Sequence, residues 1–364
     1  MSALAAVLEG REVVVCAGPG GVGKTTSAAA IGLAMAARGR RVAVLTIDPA
    51  RRLADSLGLE EIGGEERRVD PERLSAAGVE ASGELWAAML DAKRTWDELI
   101  ERHAPDERTR DAVLGNRIYK ELSSAVAGSQ EYMAMEKLHE LHAEGRYDLL
   151  VLDTPPTRNA LDFLDAPKRL SRFVDSRSLQ FFTSGGLFGV KIFSRGTGLV
   201  FSVLKRVTGV DLLQDISDFF QSFGDMAPGF RERAGRVTEL LADSRTTFLL
   251  VTSPRADAVD EAVFFHDRLR EAGMPFGAAV VNRMHELPAD GDGVHEEVEE
   301  LLGPELGRRV AGNLEDFRRL AERDQLSLSD LRQRLGRKPM IEVPDMEDDI
   351  HDLEGLAKMG EYLF

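Results

Sequence analysis

The chain is poor in cysteine: Cys16 is the single one in 364 residues. One thiol cannot close an internal disulfide, complete a CxxC zinc site or ligate a metal cluster by itself. Long apolar runs are missing as well. No stretch of about 18 apolar residues occurs, so no membrane-spanning helix is expected. The start, MSALAAVLEGRE, lacks the basic region and long apolar stretch of a signal peptide. Basic residues are outnumbered, 46 against 62 acids, for a formal net charge of −16. A uniformly acidic chain repels phosphate backbones and anionic lipid. That disfavours nucleic-acid partners and charge-driven membrane docking. These absences leave a cytoplasmic globular protein as the expectation. Its 43% hydrophobic content suffices for a large core.

Short apolar, β-branched runs alternate with helical patterns. The runs are 12–16, 41–47, 85–90, 149–152, 247–251, 277–281 and 340–343. Several are apolar without alternation, as strands buried on both faces of a parallel sheet require. The segment 26–38 is rich in alanine and stops at Gly39, a C-terminal cap. The fold class is therefore α/β, a doubly wound and mostly parallel sheet. We read 1–364 as one domain, with 165–236 as a helical insertion. Segments 60–72 and 286–306 are charged and read as surface loops and helix faces.

Residues 18–26 read GPGGVGKTT, between an apolar strand and an alanine-rich helix. Gly18, Gly23, Lys24 and Thr25 satisfy the pattern of a phosphate-binding P-loop. In such a loop the N–H groups of Gly20, Gly21, Val22, Gly23 and Thr26 turn toward phosphate oxygens, aided by the helix N-terminus. Lys24 supplies a point charge, and the Thr25 hydroxyl ligates Mg²⁺ beside ATP. The fold is thus a P-loop NTPase.

Two strand ends carry carboxylates, Asp48 after RVAVLTI and Asp153 after LLVL. Ligands gather at the carboxyl ends of strands in open α/β sheets. Asp153 is expected to be the Mg²⁺-associated carboxylate of a Walker B strand, and Asp48 to orient the attacking water. The alternative for each is a helix or turn cap.

The combination of GPGGVGKTT, TIDPA with a following leucine, and DTPPT resembles the deviant-Walker ATPases. Within them it resembles the branch of the arsenite-pump ATPase ArsA and the tail-anchored-protein targeting ATPase. Asp48, Pro49, Ala50 and Leu53 match that family's first switch, and DTPPTRNALDFL, 153–164, its second. The resemblance implies that Asn282 reads the adenine and that the loop at Pro344 borders it. It also implies a dimer whose closure on Mg-ATP couples to an apolar client protein. For Asn282 a strand-end turn stays open as the alternative.

Three departures qualify the resemblance. The family's P-loop carries an extra lysine that reaches the partner's nucleotide, and here that position is Pro19. This variant is similar to one member of an actinobacterial anion-transporter-ATPase-like pair, which implies a heterodimer with a lysine-bearing paralogue. Another basic residue could substitute, with Arg51, Arg52 and Arg158 all in switch segments. The interface CxxC for zinc and the arsenite-binding cysteines are absent, so no zinc or arsenite site is expected. Cys16 reads as a small buried hydrophobe. In the second switch, Arg158 and Asn159 replace glycine and histidine.

Within the insertion, Leu212, Leu213, Ile216, Phe219, Phe220 and Phe223 share one helical face. Such a face could hold an apolar peptide helix, or simply pack in the core. Asp211 and Gln214 suggest a capping box. Met133 and Met135 read as core, His139 and His142 as solvated. Two other functions compete with the client-binding switch. A positioning or partition-type ATPase would want a basic surface, and the end HDLEGLAKMGEYLF carries a single lysine. A nucleotide-binding regulatory subunit with little hydrolysis of its own would fit Pro19.

Overall fold

The structure, a computed structural model, describes residues 2–47, 52–59, 63–117, 119–120, 129–155, 165–166, 211–287, 299–346 and 348–364. Within 211–227, side chains are described only at Phe219, Ser222 and Met226. By its contacts the chain divides into two compact units. One comprises Met1–Met89, Gly145–Ala160 and Ala242–Phe364, the other Leu90–Glu144 and Leu161–Leu241. The second unit thus takes in more than the expected insertion at 165–236. Of that insertion, 167–210 lies outside the described residues.

In chain order the first elements are α1 (Ala3–Leu8), β1 (Val13–Ala17), α2 (Lys24–Ala37) and β2 (Arg41–Thr46). Then come α3 (Arg52–Ser56), β3 (Arg67–Arg68), α4 (Pro71–Ala76) and β4 (Glu84–Met89). Helices α5 (Ala92–His103), α6 (Glu107–Gly115) and α7 (Ser129–Glu144) lead to β5 (Leu149–Asp153). Helix α8 (Asp211–Ala242) precedes β6 (Thr246–Thr252), α9 (Ala256–Glu271) and β7 (Phe276–Met284). The chain ends with α10 (Pro304–Leu335), β8 (Met340–Pro344) and α11 (Leu353–Leu363).

Among the described residues eight strands form one sheet in the order β3-β4-β2-β5-β1-β6-β7-β8. All pairs are parallel except β3 with β4. The seven apolar runs are the seven parallel strands. β1, β5 and β6 are buried along their whole length, because helices cover both faces. The two-residue antiparallel β3 lies in the charged segment read as loop. It is too short and too exposed to carry an apolar signal.

Helix α2 starts at Lys24, two residues before the expected 26, so Lys24 and Thr25 occupy its first turn. Its end is as expected: the Gly39 N–H reaches the Ala36 carbonyl at 3.0 Å. Helix α11 packs on α2 through Leu356, Met359 and Leu363, all buried. Asp352 caps it, accepting from the Gly355 N–H at 2.8 Å.

In the second unit, Met133 and Met135 are fully buried. Phe230 of α8 packs on Trp96, with ring centroids 5.9 Å apart. Phe219 is buried against Tyr119, which places one residue of the predicted apolar face in this unit's core. The side chains of the other five, and of Asp211 and Gln214, lie outside the described residues. Glu136 is 1% exposed and pairs with Arg233, while Tyr132 Oη donates to its second oxygen at 3.2 Å. His139 corrects the reading as solvated. It is half-buried, and burial depresses its basicity, as it does for His103.

Candidate functional site

The parallel register fixes what meets at the top of the sheet. Cys16 pairs with Asp153, and Thr46 pairs with Asp153 from the other side. The carboxyl-terminal ends of three strands therefore stand at one level. The P-loop follows β1 there. Its turn depends on glycine at two positions. Gly18 has φ +147°, and a Cβ would fall 2.0 Å from the Val251 carbonyl oxygen. Gly23 has φ +90°, and a Cβ would fall 2.4 Å from Asn282 Nδ2.

Lys24 is buried, and its ammonium donates to the Pro19 carbonyl at 2.7 Å, closing the loop on itself. The Thr25 hydroxyl donates to Asp153 Oδ2 at 2.6 Å. The Thr46 hydroxyl donates to the same oxygen at 2.8 Å. Asp153 is 1% exposed, so a buried carboxylate is held by two hydroxyls from neighbouring segments. Thr154 continues the lattice, its hydroxyl donating to the Cys16 carbonyl at 2.9 Å. Burial pushes the Cys16 thiol up, and the nearby Asp153 charge adds to the shift.

A cavity of about 690 Å³ opens over this level. Gly21, Gly23, Lys24, Thr25, Thr26 and Arg52 line it. Thr154, Asn282, Arg283, Pro344, Asp345, Met346, Asp348, Asp349 and Ile350 line it as well. Asn282 is buried and donates from Nδ2 to the Val22 carbonyl at 3.0 Å. It bridges β7 to the P-loop instead of ending in a solvent turn. A second cavity of about 700 Å³ adjoins, lined by Pro19, Gly20 and Val22, and it shares Gly21, Arg283 and Asp345 with the first.

The fold thus gathers the expected P-loop residues with Asn282 and Pro344 around one pair of adjoining cavities, and Asp153 lies buried behind Thr25. Asp48, Arg51 and Arg158 lie outside the described residues. The sequence reading missed Thr46, Thr154 and Arg283. Thr154 directly follows the strand-end Asp153, and Thr46 stands two residues before Asp48. Arg283 has no such signal. Among the described residues no group of three or more His, Cys, Asp or Glu is arranged to hold a metal ion. None of their helices is long and apolar enough to cross a membrane.

The comparisons with known proteins agree with this geometry. The profile of the anion-transporting ATPase family matches residues 11–298. A protein named as an arsenical pump-driving ATPase from Aquifex aeolicus is 24% identical over 362 residues, covering 97% of this chain and 78% of the relative. ATPase GET3 of Malassezia globosa is 24% identical over 352 residues, 96% of this chain and 90% of its own length. ATPase GET3C of Arabidopsis thaliana is 26% identical over 282 residues, 75% of this chain and 67% of its own. The match covers more than half of the chain, and the chain belongs to the anion-transporting ATPase family.

Proposed function

We propose that this chain binds and hydrolyses ATP as half of a dimeric switch. The carrying observation is the hydroxyl–carboxylate lattice of Thr25, Thr46 and Asp153 set beside the glycine cradle. Thr25 and Asp153 offer hard oxygens, the donor chemistry that Mg²⁺ prefers, so the residues present fit the ion. When bound, Mg²⁺ neutralises charge on the phosphates. The backbone N–H groups of 20–26 and the Lys24 ammonium bind the phosphates. Asn282 and Pro344 border the base. Asp48 orients the attacking water.

Pro19 has no charge to offer a partner's nucleotide. We infer a heterodimer with a lysine-bearing paralogue, which supplies that cation to this chain's site. Arg52, which lines the cavity, is the alternative cation within the chain. A role in driving an arsenical pump through cysteine-bound arsenite is disfavoured, because Cys16 is buried inside β1. The switch would instead act on an apolar client protein in the cytoplasm. A regulatory subunit with little hydrolysis is the second reading, and Pro19 is the observation that favours it.

The test is binding and turnover by the purified chain and two variants. Lys24→Ala should weaken Mg-ATP binding by roughly tenfold or more, since a hydrogen bond to a charged group is lost. Asp48→Asn should bind ATP yet not hydrolyse it. Unchanged hydrolysis in Asp48→Asn would remove Asp48 from its role. A homodimer with brisk turnover would sink the paralogue argument. Turnover that rises when a lysine-bearing paralogue is added would support it.

A further inference from the structure

Among the described residues Arg283 alone, glycine aside, has a left-handed backbone, with φ +62°. Glycine or asparagine adopts that region readily; arginine does so at a cost. The strain has a local cause. Along β7, Val281 pairs with Glu342 and Met284 with Pro344. Three steps on β7 oppose two on β8, so Asn282 and Arg283 form a bulge with one extra residue.

The bulge is clamped on every side. Asn282 is tied to the Val22 carbonyl. The Met284 carbonyl accepts from the Asp345 N–H at 2.9 Å. Just beyond, the His285 N–H donates to Asp324 Oδ2 at 3.1 Å, and its ring Nδ1 meets the same oxygen at 2.6 Å. Asp324, on α10, is fully buried. A strained residue persists when its surroundings over-determine it, and such residues cluster at ligand sites.

The strain aims one side chain. Arg283 is exposed and stands on the wall shared by the two cavities. It makes no hydrogen bond or ion pair among the described residues. Besides Lys24 and Arg52, the charged side chains that line the first cavity with it are Asp345, Asp348 and Asp349, and the Asp345 backbone is bonded to Met284, the neighbour of Arg283. Those carboxylates repel a phosphate tail, and Lys24 and Arg52 attract it. A guanidinium there is planar, weakly hydrated and suited to lie on an aromatic face.

We infer that Arg283 is a specificity-determining residue that contacts the base and ribose of a purine nucleotide, and that the bulge is strained to put it there. This rests on the proposed nucleotide site. The test uses the full chain, with Mg-ATP and Mg-tripolyphosphate as probes, and compares wild type, Arg283→Gly, Arg283→Asn and Lys24→Ala. Both Arg283 variants fit the left-handed backbone. The ligand-free Arg283→Gly protein should melt higher by roughly 1–4 °C as strain is relieved. Its ATP affinity should fall by roughly threefold to thirtyfold, the range of a stacked cation. Tripolyphosphate affinity should not change. Arg283→Asn should lose ATP affinity likewise, which sets aside glycine flexibility as the cause.

Unchanged ATP affinity, or equal losses for both probes, would overturn the assignment. A lower melting temperature in both variants would overturn the strain argument and the inference with it. Lys24→Ala separates the two levels. If it binds both probes as wild type does, the nucleotide-site reading itself fails. If it loses both while Arg283→Gly binds normally, only the Arg283 assignment fails.

Discussion

Gly23→Ala tests the P-loop cradle by magnitude as well as direction. The added methyl enters a left-handed residue and meets Asn282 Nδ2 at 2.4 Å. Left-handed backbone disfavours alanine by about 1–2 kcal/mol. Evicting Asn282 from the Val22 carbonyl costs about 1 kcal/mol more. The substitution is expected to cost about 2–3 kcal/mol in total. Asn282→Ala alone loses only the hydrogen bond, about 1 kcal/mol. In the double variant nothing of Asn282 is left to evict. Backbone strain and one lost hydrogen bond remain, again about 2–3 kcal/mol. Simple addition would give about 3–4 kcal/mol, so the cycle should show about 1 kcal/mol of coupling. Urea denaturation of the four ligand-free proteins reads this from midpoints at constant slope. Strictly additive costs, or a Gly23→Ala protein as stable as wild type, would refute the packing of Asn282 on the P-loop turn.

Further outcomes follow from the same physics. Arg233→Ala strands the buried Glu136 carboxylate and should cost about 3–5 kcal/mol in chemical denaturation. Replacing the pair by Arg233→Met with Glu136→Gln should recover much of that; a loss below about 1 kcal/mol in the single variant would show the pair to be solvated. Burial, joined by the Arg233 charge, holds His103 and His139 below the ordinary value of 6.5. The unfolded chain then binds more protons, so the stability from these groups is present above pH 6.5 and is lost as pH falls toward their folded values. Thermal melts between pH 7.5 and about pH 5 should show this decline, and it should be smaller in a His103→Gln, His139→Gln protein. The Cys16 thiol, raised by burial, should not react with a thiol dye at pH 8 until the protein is unfolded. Rapid labelling of native protein would contradict its place inside β1.

Much of the site was legible because its signals are local. The P-loop spans nine consecutive residues, and its glycines are needed by its own backbone. Asp153 could be assigned because it ends a strand buried on both faces, whose unbroken apolar run marks the boundary. What escaped depends on partners remote in sequence. Glu136 and Arg233 are 97 residues apart. His139 read as solvated because no cysteine or further histidine near it and His142 completes a metal-ligand set; its burial is decided by the helices around it. The division into two units gathers Leu90–Glu144 with Leu161–Leu241, on either side of β5.

The sequence by itself determined the chemistry on offer. A phosphate cradle, a strand-end carboxylate, a lone cysteine and a missing lysine are properties of residue type and spacing. The tertiary structure alone decided how these groups face one another. Asp153 receives the Thr25 and Thr46 hydroxyls because β5 lies between β1 and β2 in register. Arg283 stands over the cavity because one extra residue on β7 opposes β8. Side-chain direction in a strand reverses at every residue, so a single-residue offset between two distant segments redirects a side chain. No local pattern in either segment contains that offset.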